Sequence, residues 1–202
     1  MPDWDEDSPK LKQNLKLILE EIEVLAEVRE IPTLEVARRW QRRFMEGLGA
    51  EPRYVGRFRG EVGLENIGVR IGEYYGVHPS HVADELKRFE ETLQAAVAQL
   101  DEDLPVGKEL DADELAAIID LCAWAHAEWV RIHPFTNGSG RTARLWANFV
   151  ARRYGLPPFV RLRPRPDAGY EDDGAKAMQG DWKPTAVVFR RLLDLFLEEF
   201  GD

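Results

Sequence analysis

The residues with chemical potential in this chain lie close together. They form the run His133-Pro134-Phe135-Thr136-Asn137-Gly138-Ser139-Gly140-Arg141-Thr142-Ala143-Arg144. An apolar-periodic segment ends just before it at Ile132, and a second helical pattern starts at about Arg141 and closes at Gly155. This order predicts a helix, a tight loop and a helix, with a histidine at the loop entrance. The first turn of a helix carries N–H groups without intrahelical partners and the positive end of the dipole, which suits an anion. Gly138 and Gly140 let the backbone approach such a ligand without intervening side chains. Arg141 and Arg144 are three apart, share a face, and can grip different oxygens of a polyphosphate. The stretch therefore predicts a phosphate site.

Charge supports the same reading. From Arg131 to Arg165 there are eight arginines and no Asp or Glu, although the chain of 202 residues has a formal net charge of -10. A local positive field persists in an otherwise acidic protein. The overall acidity argues against general binding to nucleic acid or to an anionic membrane. A DNA-binding helix pair carrying Arg152 and Arg153 is disfavoured on the same ground, and because the glycine loop is too broad a turn. Cys122 is the only cysteine, so neither an intrachain disulfide nor a cysteine cluster for zinc can form. Residues 1–7 have neither a basic nor an apolar segment, and no stretch reaches transmembrane length, so the cytoplasm is the expected compartment.

The elements that must position this run are mainly helical. Ser8 and Pro9 open a helix with the stripe Leu11, Leu15, Ile18, Ile22 and Leu25, and Thr33 caps a second with Val36, Trp40, Phe44 and Leu48. Arg38, Arg39, Arg42 and Arg43 lie on the latter's other face, read as solvated. Between Tyr54 and Ile71 the helical period disappears, and short alternation predicts a small hairpin or flap with Arg57-Phe58-Arg59-Gly60 and Gly68-Val69-Arg70-Ile71 on its two sides. Helices follow from Pro79 to about Leu100, from Asp111 or Asp113 to Ile132, and from Asp181 onward, with a short one between 167 and 180. His126 lies beside the stripe of the helix that enters the central run, and is read as structural or exposed. The expected fold is mainly α with a small β-hairpin flap: accessory helices at residues 1–50 packed on a main domain at residues 51–202.

The central run resembles the signature of the Fic/Doc family, His-x-Phe-x-(Asp/Glu)-Gly-Asn-Gly-Arg-x-x-Arg, at the right spacing. The likeness extends from about Tyr54 to Phe200 and implies a Fic-type helical bundle. It implies a protein adenylyltransferase that moves AMP from ATP to a Ser, Thr or Tyr hydroxyl of a target protein. By position, His133 is then the catalytic base, a role that suits an imidazole. Phe135 anchors the loop to the core. Asn137, Gly138, Ser139, Gly140, Arg141 and Arg144 bind the nucleotide's phosphates, where fixed donors favour a highly charged transition state. Arg57, Phe58, Arg59, Val69, Arg70 and Ile71 form the flap that docks the target.

Two positions depart from the signature. Asn137 replaces the acidic residue that holds Mg²⁺, offering a neutral carbonyl oxygen in place of a charge, so metal affinity should fall. Ser139 replaces an asparagine with a shorter side chain. These departures keep two alternatives open: a transferase of the same fold using another nucleotide or phosphate-containing donor, or a silent nucleotide-binding or protein-interaction module. No Ser or Thr begins the family's inhibitory pattern Ser/Thr-x-x-x-Glu-Gly/Asn, which leaves Arg144 free or restrained by a separate antitoxin-like protein or by self-association.

Overall fold

Local sequence signals set the helix starts. In the computed structural model, which describes residues 8–163, 166 and 170–200 (side chains of 171–173 excepted), α1 (Pro9–Glu27) begins with Ser8 accepting the Leu11 N–H and Pro9 in the first turn. The second helix, α2 (Leu34–Met45), follows Thr33, but its first N–H is taken by Glu90 rather than by the threonine. A 3₁₀ turn at Pro52–Tyr54 leads to the strands β1 (Arg70–Ile71) and β2 (Tyr74–Tyr75), and then to α3 (Pro79–Asp103). Asp111 and Glu114 make a reciprocal capping box at the start of α4 (Ala112–Ile132). The chain continues through α5 (Ser139–Arg153), α6 (Tyr170–Ala177) and α7 (Lys183–Phe200), the last preceded by Asp181, which accepts the Lys183 N–H. The protein is mainly helical with a small antiparallel hairpin, as the sequence predicts.

The axis of this bundle is α5. All of its residues from Arg141 to Ala151 are buried, because α1, α2 and α4 pack around it. Its Trp146 meets Trp40 of α2 edge-on at 4.9 Å and Trp129 of α4 at 5.8 Å, while Phe89 of α3 lies 5.8 Å away. Such aromatic pairs add ~1 kcal/mol each beyond the area they bury. The apolar side chains of α1 and α2 belong to the same buried cluster as those of the later helices. Cys122 lies in this core, and burial pushes its thiol far above the usual range. Arg153 closes the end of α5 by donating to both oxygens of Asp101 on α3 and to the Glu30 carbonyl.

The hairpin sits later than expected. Arg70 pairs with Tyr75 and Ile71 with Tyr74 across a turn at Gly72 and Glu73, so Arg57, Phe58 and Arg59 are not strand partners of Val69, Arg70 and Ile71. Alternation in Arg57-Phe58-Arg59 reflects a different pairing, a single bridge from Phe58 to Phe135. The α2 arginines also differ from a plain solvated face. Arg39 and Arg43 reach Glu21 and Arg42 reaches Glu35, but Arg38 lies over the Phe58 ring at 3.9 Å and pairs with Glu61. Part of the extended turn expected at residues 163–166, and the start of the segment after 166, lie outside the described residues.

After α5 the chain is held by Asn148, whose side chain donates to the Val160 carbonyl at 2.8 Å and accepts the Val160 N–H at 3.0 Å. Replacing Asn148 with Ala leaves a buried donor and acceptor unpaired, which costs about 2–4 kcal/mol. Chemical denaturation of Asn148→Ala should show a loss in that range with an unchanged m-value.

Candidate active site

The site is built where α4 ends and α5 begins. His133 is the C-cap of α4 and takes a left-handed conformation (φ 51°, ψ 57°), which turns the chain out of the helix. A left-handed histidine carries strain that only a well-held neighbourhood sustains. Arg59 supplies the hold. It is 1% exposed, and its guanidinium donates to the carbonyls of His133 (2.7 Å), Ile132 (2.9 Å), Val77 (2.9 Å) and Ile67 (3.2 Å). Its backbone N–H donates to Pro134 at 2.7 Å. The Ile132 and His133 carbonyls are the negative end of the α4 dipole, so a cation belongs there. Burial lowers the Arg59 pKa to about 10, which leaves it charged at neutral pH. Gly76 passes so close that an added Cβ would stand 2.8 Å from His133 Cβ, and only glycine fits.

Three side chains then fix the loop. Phe135 is fully buried against Phe58, ring centres 4.8 Å apart. Ser139 turns inward: its hydroxyl accepts the Phe135 N–H and donates to the Phe135 carbonyl, both at 3.0 Å. Gln41 of α2 donates to the Asn137 carbonyl at 3.3 Å. Gly138 caps α5 at φ 91°, and a Cβ there would meet Phe44 at 2.1 Å. Thr142 ties the two helices together by accepting from Trp129 Nε1 at 2.7 Å.

These elements enclose a cavity of about 710 Å³. His133, Asn137, Gly138, Ser139, Gly140, Arg141 and Arg144 all line it, as do Val69, Arg70 and Ile71 from the hairpin side. Phe135 is in the core. Arg57, Phe58 and Arg59 are not on the cavity wall. Phe58 and Arg59 are buried, and Arg57 bonds to Glu61 and to the Val62 carbonyl. The docking role expected of these three is thus corrected for Phe58 and Arg59: burial removes them from any partner's reach, and they hold the loop from behind.

The two arginines differ in their settings. Arg141 lies over the Phe44 ring at 4.8 Å and donates to Asn137 Oδ1 at 2.6 Å. Arg144, 3% exposed, donates to the Tyr170 hydroxyl at 3.3 Å. Two further residues meet at this wall, one from the short helix expected between 167 and 180 and the other read from sequence as structural or exposed. Tyr170 of α6 lines the wall, and His126, 2% exposed, bonds to it through Nε2 at 2.6 Å. The signal for His126 was present in the spacing: His126, Val130 and His133 fall at i, i+4 and i+7, one face of α4. Burial, and then the Arg144 charge, pull His126 down to about 3. Burial, with Arg59 second, lowers His133 to about 4, the Val130 carbonyl opposing slightly. Both imidazoles are therefore neutral at pH 7, and a polyphosphate in the cavity would move His133 back up.

A family-type Mg²⁺ does not fit the residues present. The Asn137 oxygen that would face a cation accepts from a guanidinium, and among the described residues no group of three His, Cys, Asp or Glu is placed to hold a metal. A neutral, already engaged amide oxygen is a poor site for a hard dication.

The Fic/DOC family model matches residues 32–151, more than half of the chain. The protein belongs to the Fic/DOC family. Protein adenylyltransferase Fic of Nematostella vectensis is 38% identical over 89 residues, 42% of this chain and 20% of that protein. Protein adenylyltransferase fic-1 of Caenorhabditis elegans is 35% identical over 111 residues, 55% of this chain and 18% of that protein. The matched part of this Fic protein spans about a fifth of these relatives' length. Its fold is shared by Fic-1 from C. elegans (TM-score 0.61, 24% identity, 94% of this chain and 48% of that one). It is shared too by a Fic domain containing signaling protein from Bacteroides thetaiotaomicron (TM-score 0.57, 20% identity, 92% and 70%). No helix among the described residues is long and apolar enough to cross a membrane.

Two outcomes are expected of this site. Arg59→Met strands four carbonyls and should cost ~3 kcal/mol in chemical denaturation, with Arg59→Lys intermediate because it keeps the charge but not the fork. Asn137→Asp adds a charge and a second oxygen, so calorimetric titration should find tighter nucleotide binding with Mg²⁺ than without it, a difference small or absent in the parent.

Proposed function

We propose that this protein is an adenylyltransferase that moves AMP from ATP to a Ser, Thr or Tyr hydroxyl of a target protein, acting in the cytoplasm. The observation that carries the reading is the convergence of His133, the N-terminus of α5, Arg141 and Arg144 on a single cavity of nucleotide size. The family membership and the relatives named as adenylyltransferases support the same chemistry.

In this reading the incoming hydroxyl oxygen attacks the α-phosphorus while His133 takes its proton. The bond to the bridging oxygen breaks, and pyrophosphate leaves with its charge on Arg141, Arg144 and the N–H groups at the start of α5. The base needs no deprotonation at working pH, because burial already keeps it neutral. Val69, Arg70 and Ile71 border the cavity from the hairpin, where an extended target segment would present its hydroxyl. Mg²⁺, where used, arrives with the nucleotide rather than from a protein carboxylate. Restraint of Arg144, if the cell imposes it, would come from an antitoxin-like protein or a second copy of the chain.

The engaged Asn137 oxygen favours one second reading, transfer from another phosphate-containing donor by the same base. A lysate incubated with ATP and Mg²⁺ or Mn²⁺, read by peptide mass spectrometry, separates the two. AMP adducts with the native protein and none with His133→Ala are expected. Adducts that persist in His133→Ala would refute the base assignment, and adducts arising only from a different donor would replace ATP.

A further inference from the structure

We propose that Tyr170 and His126 are positioning residues for Arg144, a buried relay that aims the guanidinium at the donor's phosphates without cancelling its charge. The proposal rests on the reading of Arg144 as a phosphate ligand.

Arg144 is almost wholly buried on the cavity wall, and among the described residues its Nε has no hydrogen-bond partner and no carboxylate pairs with it. A buried cation can be made tolerable by a counter-ion, which would compete with any anionic ligand, or by a neutral acceptor, which would not. The Tyr170 hydroxyl, 3.3 Å from Nη1, is of the second kind. A guanidinium can only donate, so the phenol oxygen accepts from it, and the phenol proton is left for His126 Nε2 at 2.6 Å. His126 is fixed in turn by edge-on packing against Phe189 at 5.3 Å and against the Tyr170 ring at 5.4 Å. It stays neutral, since burial disfavours its charged form and a second cation beside Arg144 would be repelled. The direction of the relay is therefore Arg144 to Tyr170 to His126. His126 and His133 lie on one face of α4, so the same helix carries the base and the foot of the phosphate anchor.

The experiment is calorimetric titration of the full chain with inorganic pyrophosphate and with ATP, beside a denaturation curve for each variant. Tyr170→Phe keeps the ring and removes the acceptor, and is expected to weaken pyrophosphate binding about tenfold with little change in unfolding midpoint. His126→Leu should weaken it comparably, and His126→Gln should recover much of the loss, because an amide oxygen can accept the phenol proton. In turnover the loss should fall on KM for ATP more than on kcat. Unchanged affinity in Tyr170→Phe overturns the proposal. Tighter binding overturns it as well, since the phenol would then restrain Arg144 rather than aim it, and equal losses in the Gln and Leu variants remove His126 from the relay. Failure of the native protein to bind either ligand would end the phosphate reading and the relay together. Pyrophosphate binding that depends on Tyr170, without transfer to any hydroxyl, would sink the adenylyltransferase reading alone.

Discussion

The site depends on one buried cation at the end of one helix. Arg59 reaches carbonyls from α4, from the segment before the hairpin and from the segment after it, and so ties both arms of the hairpin to the end of α4. Because its partners are carbonyls rather than a carboxylate, the charge is dispersed over dipoles and over the negative terminus of α4. That arrangement lets a histidine sit in a left-handed conformation at the loop entrance, with its ring on the cavity. Burial lowers the pKa of that ring, and the Arg59 charge adds to it. One side chain thus holds the backbone and also contributes to the electrostatics of the ring.

The loop's geometry follows from a division of labour. Side chains that would be free to meet a ligand in an exposed loop are turned inward here: Phe135 into the core, Ser139 onto the Phe135 backbone, Thr142 onto Trp129. What the loop still presents to the cavity is backbone, the His133 imidazole, Thr136, Asn137 and the arginines. Gly138 permits this because the Phe44 ring of α2 packs where a side chain would be. The second helix consequently backs the site's loop, consistent with a family match that begins at residue 32.

The helix, loop and helix of the central run were legible because their signals are local: apolar spacing ends at Ile132, and the turn residues occupy a few adjacent positions. The hairpin was less legible. Arg57-Phe58-Arg59 alternates like a strand, yet its partner is Phe135, far along the chain, and no local pattern announces a contact of that separation. The inward turn of Ser139 was also invisible, since a hydroxyl at a helix start serves a ligand or a backbone group with equal ease. His126 was read as structural or exposed, and it is buried. Seven residues along a helix is nearly two turns in height but almost the same angle, so His126 also reaches the cavity that His133 lines.

The two arginines of the motif show how one spacing yields two electrostatic roles. Arg141 is held by an amide oxygen and lies over an aromatic ring, so its guanidinium is kept close to the loop. Arg144 is one turn deeper and donates to a phenol. The amide that steadies Arg141 is the residue that replaces the family's metal-binding acid. An acid there would share its charge between the guanidinium and a metal, drawing positive potential away from the cavity in the absence of the ion. An amide does not, so Asn137 orients the Arg141 guanidinium without itself neutralising the charge.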